Sequence, residues 1–598
     1  MAMESSSALV DLSPNDLSAG QIAFFLAYCC ITGLYFTAIF FRSKYAGCTA
    51  KRRDEDLAND GEASKAGNES SSSQNSSSMA ASSMAASSTL SDAAAASEAG
   101  ADSYLPGLFN NAVTRALTLH PKQLDSAHDM LASAVETGTH VAVFFLADRT
   151  SLFPDAKKYY SHDVFWFIYG TLVFVAAAYS LANDKTPGLL NRDQTEEWKG
   201  WMQVLFLLYH YYNAADLYNA IRIFIAAYVW MTGFGNFSYY HVRRDFSIGR
   251  FVQMLWRLNF LVALCCVALN NDYLVYYICG MHTLFTIMVY FGLYVRHELN
   301  TNTTVIIGKF VALTALVAVC WSSKAMFDML WSPVYWLVKY DNPHAKPGTP
   351  GADPMHEWWF RTSLDRYVWI FGMVCAFMHP RVEKFIKNYV DPTPTSGTIV
   401  ASAGASPSTR LAARAVVLVS CAVTGYWWYA HVYTLPKLEY NKLHPFTSWI
   451  PITIYIMLRN FTPTLRASSL HLFGWLGKIT LETYICQYHI WLSTSSVANG
   501  QPKMLLDLVP GYPLLNFMLV TIIYVCISHR LFSLTCQLRD HLLPAKDNKA
   551  LSRNLVLMAA CCIILYGLGA TLKFSLRSGS AMGGGAMDVT DQGTDPEH

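Results

Sequence analysis

The stretch NRDQTEEWKGWMQVLFLLYHYYNAADLYNAIR, residues 191–222, decides how the chain is read. Its middle is membrane-like: residues 204–208 are wholly apolar and aromatic side chains flank them. Yet Glu196, Lys199, Gln203, His210, Asn213 and Asp216 recur through it at steps of three, four or seven. On an α-helix those steps fall on or near one face. Polar side chains at membrane depth are costly and face a bundle interior or a wet cavity. The pattern predicts a helix that lines an active-site cavity, with His210 as the reacting group. Lys199 then sits at one mouth, and His210 lies eleven residues on, roughly 16 Å deeper at about 1.5 Å per residue.

Composition sets the frame around this helix. Of 598 residues, 53% are apolar and 14% charged, against about 25% charged in soluble domains. Several runs reach the ~20 residues that span a bilayer as helix. They are continuous rather than alternating, which argues against a β-barrel. The fold class is therefore an all-α polytopic membrane protein of about twelve to fourteen helices. Basic residues sit in short clusters beside apolar runs, where they set topology; nothing points to nucleic acid. The 14 Cys fall mostly inside apolar runs without metal spacing, as small buried hydrophobes do. No phosphate-cradling glycine motif is present.

In chain order, residues 22–41 form a first span with acidic residues before it and Arg42, Lys44, Lys51, Arg52 and Arg53 after it. The positive-inside rule places the N-terminus in the lumen. Residues 54–102 are Ser/Ala-rich and read as a disordered cytosolic loop, leaving the sequons at Asn68 and Asn75 unmodified. Further spans are expected at 131–147, 164–181, 198–212, 217–234, 251–269, 273–294, 304–321, 367–378, 411–432, 447–458, 471–492, 512–530 and 554–573, with a short apolar piece at 326–338. Arg243, Arg244 and Arg250 put the 235–250 loop in the cytosol, and counting spans from the lumen gives the same side. The implied domains are an anchor at 1–53, a low-complexity loop at 54–130, a membrane domain at 131–545, and a last helix with a disordered tail at 546–598.

Other polar residues in apolar surroundings complete the candidate site. A neutral imidazole takes a proton from a hydroxyl or attacks a thioester, and Glu196 or Asp216 could orient His210. The competing reading is a structural hydrogen bond between helices. Arg222 and Arg257 each need a carboxylate, a carbonyl or a ligand phosphate; Asp216 and Asp272 are the carboxylates weighed. His282 stands mid-helix. Glu357 and Arg361 form an i,i+4 pair. In LGKITLETYICQYHIW, residues 476–491, Lys478, Glu482 and His489 share one helix face and offer a second wall for the cavity. The catalytic candidates are His210, Asp216, Glu196, His489 and Glu482. The substrate-binding candidates are Lys199, Gln203, Arg222, Arg257, Lys478, Arg361 and His282. No metal site is expected.

The blocks RDQTEEWKGWMQVLFLLYHYYNAADLYNAIR, RFVQMLWRLNF, NNDYLVYYICGMHTLF, WFRTSLDRY, HPFTSWIPI and LGKITLETYICQYHIW resemble the ten-helix acyltransferase domain of the capsule-synthesis type. That domain is shared by plant reduced-wall-acetylation proteins, the animal sialic-acid O-acetyltransferase and fungal capsule acetylation proteins. The likeness covers about residues 135–545 and is strongest to the plant branch, since this chain shows no lumenal esterase-like domain. Gly280 stands where the pattern has Pro, and Phe446 where it has Tyr. A more distant likeness to bacterial type-three acyltransferases maps a basic residue and a helix-borne His onto Lys199 and His210. It also maps a late block onto Gly477, Lys478, Ile479, Thr480, Tyr484 and His489. The resemblance implies a Golgi membrane enzyme with no bound cofactor and acetyl-CoA as donor substrate. Its partners would be the bilayer, a polysaccharide acceptor such as xylan or pectin, and a separate lumenal esterase-like acetyltransferase. The alternative is a transporter of acetyl-CoA or another acetyl donor that makes and breaks no bond.

Overall fold

A backbone in hydrocarbon must satisfy its own N–H and C=O groups, so each long apolar run becomes helix. The structure, a computed structural model, describes residues 17–66, 124, 127–150, 152–153, 156–157, 161–183, 188–341, 345–346, 348–391, 406–492, 503–504 and 506–584. Helices of seven residues or more are α1 (Ala19–Ala66), α2 (His128–Arg149), α3 (His162–Tyr179), α4 (Arg192–Tyr212), α5 (Tyr218–Arg243) and α6 (Ile248–Leu269). There follow α7 (Tyr277–Tyr294), α8 (Thr303–Cys320), α9 (Lys324–Trp331), α10 (His356–Leu364), α11 (Val368–Phe385) and α12 (Pro407–Trp428). The last are α13 (Lys437–Thr447), α14 (Trp449–Arg459), α15 (His471–Lys478), α16 (Thr480–Cys486), α17 (Pro513–Leu542) and α18 (Asn548–Gly584).

Among the described residues, ten helices are long and apolar enough to cross a membrane: α1, α2, α3, α5, α6, α7, α8, α12, α17 and α18. Helices α4 and α11 have the length, at 21 and 18 residues, but carry more charge. The protein is an all-α, multi-pass membrane protein. The expected single helix over 471–492 is broken into α15, α16 and a π-helical turn, Gln487–Trp491. The break falls at Ile479, whose backbone leaves helical geometry. The first helix runs well past the expected end at residue 41, through residues read as loop, to Ala66. The remainder of that loop, with its sequons, and the last part of the tail lie outside the described residues. Cysteines divide between the interior (Cys265, Cys279, Cys320, Cys486) and the outer helix faces (Cys29, Cys30, Cys526, Cys562). Apolar solvent on those faces lets a thiol stand exposed there.

The chain divides into two compact units. One comprises residues 17–139 and 536–598. In it α1 packs along α18, with Gly569 against the backbone of Ala19, and the Tyr28 hydroxyl meets Thr139 Oγ1 at 2.8 Å.

The other unit holds residues 140–535. Two helix pairs frame it. Helices α4 and α15 touch backbone to backbone: a Cβ on Gly200 would overlap the Phe473 carbonyl, and one on Gly477 would overlap the Glu196 carbonyl. Helices α5 and α11 do the same through Gly233 against Trp369 and Gly372 against Trp230. Small residues let membrane helices approach this closely. A short antiparallel ribbon, Leu181–Asn183 with Ser468–Leu470, ties the segment before α4 to the segment before α15.

Overpacking costs about 1–3 kcal/mol where neighbours can shift, and a backbone carbonyl shifts little. Gly477→Ala and Gly233→Ala are expected to lower the thermal unfolding midpoint in detergent by several degrees. Gly170→Ala on α3, with nothing within 4 Å of the added Cβ, is expected to leave it in place.

Candidate active site

Helix α4 is set at both ends by its own sequence. The Asn191 side chain accepts from Gln194 N at 2.8 Å and starts it. Asn213, in the left-handed region at φ 56°, ends it; asparagine tolerates that conformation better than most residues. Between them the polar stripe faces the bundle. A cavity of about 330 Å³ is lined by Lys199, Gln203 and Phe206 of α4, by Tyr228, Thr232 and Asn236 of α5, by His282 of α7 and by Thr480 and Tyr484 of α16.

The cavity wall is tightly wired. The Tyr228 hydroxyl lies 2.7 Å from the Lys199 carbonyl and 3.1 Å from Gln203 Oε1, its one hydrogen shared between two acceptors. Gln203 Nε2 donates to the Thr480 carbonyl at 3.2 Å and to Thr483 Oγ1 at 3.0 Å. That contact satisfies a carbonyl near the helix break. Thr232 Oγ1 donates to the Tyr228 carbonyl at 3.2 Å and lies 2.7 Å from His282 Nδ1. With its hydrogen committed to the carbonyl, Thr232 accepts from Nδ1–H. Neutral His282 then has its lone pair on Nε2. Lys199 Nζ is held by Glu196 at 2.6 Å, and Arg192 approaches the same carboxylate at 3.9 Å.

His210 lies one turn beyond Phe206 and is not among the lining residues. Its ring packs on Phe206 at 4.4 Å between centroids, and its Nδ1 meets Gln487 Oε1 at 3.1 Å. Of the partners weighed from sequence, Glu196 holds Lys199, and Asp216 stands exposed in the turn between α4 and α5.

The arginines find carboxylates that spacing did not reveal. Arg222 is buried against Asp365 at 2.7 Å, and His444 Nε2 meets the same carboxylate at 3.3 Å. Neither Asp216 nor Asp272 is its ion-pair partner. Arg257 grips Glu482 through both guanidinium nitrogens, one contact at 2.8 Å. The Lys478–Glu482 pair is thereby corrected: Lys478 is exposed, and the break at Ile479 puts the two on different helices. Arg361 pairs with Glu357 at 3.2 Å and lies 4.4 Å over the Tyr277 ring. His489 is buried between Asp148 at 2.9 Å and the Tyr276 hydroxyl at 2.6 Å. Outside the spans, burial raises the Asp272 carboxyl above its usual range, Asp341 adding to the effect and Lys339 opposing it.

Tyr228, Thr232, Asn236, Asp148 and Tyr276 were not singled out from sequence; Tyr484 was marked only through the resemblance, and Asp365 only as a residue that could cap or pair at its own helix entrance. Tyr228, Thr232 and Asn236 recur every four residues on α5, a helical stripe that could have been found. Asp148 gave no such signal, and the pattern around Asp365 did not name its partner, because His489 and Arg222 are far away in the chain. Among the described residues no group of three or more His, Cys, Asp or Glu is placed to hold a metal ion.

Ten helices able to span a membrane, and a polar, histidine-bearing cavity within the 140–535 unit, fit a membrane acyltransferase, and comparison with known proteins gives the family. Residues 19–556 match the model of the 10 TM acyl transferase domain found in Cas1p, and the chain belongs to that family. It is also similar to the N-acetylneuraminate (7)9-O-acetyltransferase of Danio rerio, 31% identical over 425 residues. The alignment covers 69% of this chain and 50% of that relative, so the chain spans about half the relative's length. No solved structure matches.

Removing one member of a buried ion pair strands the other and costs about 3–5 kcal/mol, whereas replacing both by apolar residues is often neutral. Arg257→Met alone and Glu482→Leu alone are each expected to destabilise the protein by that order. The double variant is expected to recover most of the loss in thermal unfolding, and strict additivity would contradict the pairing.

Proposed function

We propose that the protein is a membrane O-acetyltransferase. It carries acetyl groups from acetyl-CoA to hydroxyls of a cell-wall polysaccharide, xylan or pectin being the candidates, across the Golgi membrane. Family membership supports acyl transfer, and the relative's name supports an oxygen acceptor. The observation that carries the reading is the single face of α4. It gives Lys199, Gln203 and Phe206 to a cavity wall and holds His210 one turn further along.

The donor enters at the Lys199 end. Arg243 and Arg244 close α5 and Arg250 lies in the first turn of α6, so this end of the bundle is basic. The positive-inside rule makes it cytosolic, the side where an anionic nucleotide would be met. The pantetheine arm lies in the cavity, where His282 accepts one of its amide hydrogens and Asn236 meets another polar group. The thioester is thereby brought past Phe206 to His210. There Nε2 of the imidazole takes the proton of the acceptor hydroxyl as its oxygen bonds to the acetyl carbonyl carbon. The carbon–sulfur bond breaks, and the proton passes to the departing thiolate. The products are an acetate ester and CoA thiol. The acceptor is the polysaccharide itself or the hydroxyl of a lumenal esterase-like transferase that passes the group on.

A positioned base contributes about 10²–10⁴-fold. In purified protein given acetyl-CoA and xylo-oligosaccharide, His210→Ala is expected to lower CoA thiol release by that factor. Lys199→Ala is expected to raise the KM for acetyl-CoA more than it lowers kcat. Wild-type turnover in His210→Ala would refute the assignment of the base. Passage of intact acetyl-CoA into proteoliposomes without thiol release would make the protein a transporter instead.

A further inference from the structure

Gln487 opens the π-helical turn Gln487–Trp491 and is fully buried. The direction of its amide can be assigned from what it touches. Nε2 donates to the Tyr484 carbonyl at 3.0 Å, and a carbonyl only accepts. Oε1 is therefore the atom that faces His210 Nδ1 at 3.1 Å. An amide oxygen also only accepts, so the hydrogen of neutral His210 sits on Nδ1 and the lone pair on Nε2. A base needs that lone pair on a defined nitrogen in a defined direction. Gln487 supplies both constraints without adding a charge.

The turn that carries Gln487 is itself anchored two residues on, by a chain of hydrogen bonds that one ion pair closes into a ring. Arg149 Nη1 forms an ion pair with Asp148 Oδ2 at 3.1 Å, and Nη2 donates to Asn271 Oδ1 at 2.5 Å. That fixes the Asn271 amide, whose Nδ2 donates to the Tyr276 oxygen at 3.0 Å. The Tyr276 hydroxyl donates to His489 Nε2 at 2.6 Å, and His489 Nδ1–H donates back to Asp148 Oδ2 at 2.9 Å. The Asp148 and His489 side chains are completely buried. The ring joins the end of α2, the approach to α7 and the π turn, and Phe144 packs on the His489 ring at 5.5 Å between centroids. A π-helical turn inserts an extra residue into a helix and recurs at functional sites. Here it places Gln487 toward α4 while His489, on the same turn, is bound to α2 and Tyr276.

We propose that Gln487 is a positioning residue that fixes the tautomer of His210 with Nε2 basic, and that the Asp148–His489–Tyr276 ring holds the turn presenting it. The inference rests on the reading of His210 as the base. It assigns His489 a supporting part rather than contact with substrate.

The test uses the full chain in nanodiscs with acetyl-CoA and xylo-oligosaccharide, following CoA thiol release against pH. Gln487→Leu keeps the size and loses the acceptor; kcat is expected to fall about tenfold or more, with the KM for acetyl-CoA unchanged. Gln487→Glu keeps the acceptor and adds a charge that favours imidazolium. It is expected to retain kcat at high pH and to move the acid limb of the profile upward by about one unit. Tyr276→Phe, which removes only the hydroxyl bound to His489, is expected to lower kcat in the same direction as Gln487→Leu. An unmoved acid limb in Gln487→Glu, or wild-type kcat in Gln487→Leu, overturns the proposal if His210→Ala is inactive. Wild-type kcat in Tyr276→Phe overturns the part given to the ring. Full turnover in His210→Ala overturns the functional reading itself, and this inference with it.

Discussion

An ion inside a bilayer must find a counter-ion or a dipole, because no water is there to take its place. That requirement organises the 140–535 unit. Arg222 of α5 reaches Asp365 between α10 and α11, where His444 of α13 also docks. Arg257 of α6 reaches Glu482 of α16. Asp148 of α2 reaches His489 in the π turn. The Arg222–Asp365, Arg257–Glu482 and Asp148–His489 contacts each span at least 143 residues of chain, so each closes a large loop. Apolar packing alone cannot set the order of helices in lipid, since hydrocarbon side chains gain little by exchanging lipid for each other. The polar contacts are specific where apolar ones are not.

Within that frame α4 differs from its neighbours. It is too charged in its first half to count as an ordinary span, and it survives because the charges have partners. Glu196 holds Lys199, Arg459 pairs with Glu197 at 3.0 Å, and the Gln194 amide donates to the Arg466 carbonyl. Arg459, which pairs with Glu197, ends α14, and Arg466 lies between α14 and α15, just before the ribbon with residues 181–183. The same helix therefore carries functional groups inward and is fastened sideways by the remainder of its polar residues.

Much of this was legible in the sequence. Apolar runs gave most helices within a few residues, and the i, i+3, i+4 and i+7 spacing on α4 marked the face that Lys199, Gln203 and Phe206 turn to the cavity. Two things were not legible. Residues 471–492 look like one continuous apolar helix, but Gly477 lets the chain pass against Glu196 and the Thr480 carbonyl is taken by Gln203, so the helix can break there. Pairing across the bundle was also hidden: Asp365 stands in a charged cluster that offers several local partners, Asp148 beside a single arginine, and neither pattern points to Arg222 or His489. Periodicity reports which face is polar, and it carries no information on which distant group will meet it.

The reciprocal glycine crossings have a consequence for what the chamber can hold. One wall helix, α4, is braced from behind at Gly200 and Gly477, and the other, α5, at Gly233 and Gly372. In both cases main chain lies directly on main chain, so neither helix can move further toward the one that braces it. The place of these two walls is set by the polypeptide itself, and the room between them by the side chains they carry. A chamber built in this way is a gauge on a rigid frame: larger or smaller side chains at residues such as Met231 or Leu258 would narrow or widen it while the two braced helices stay in place.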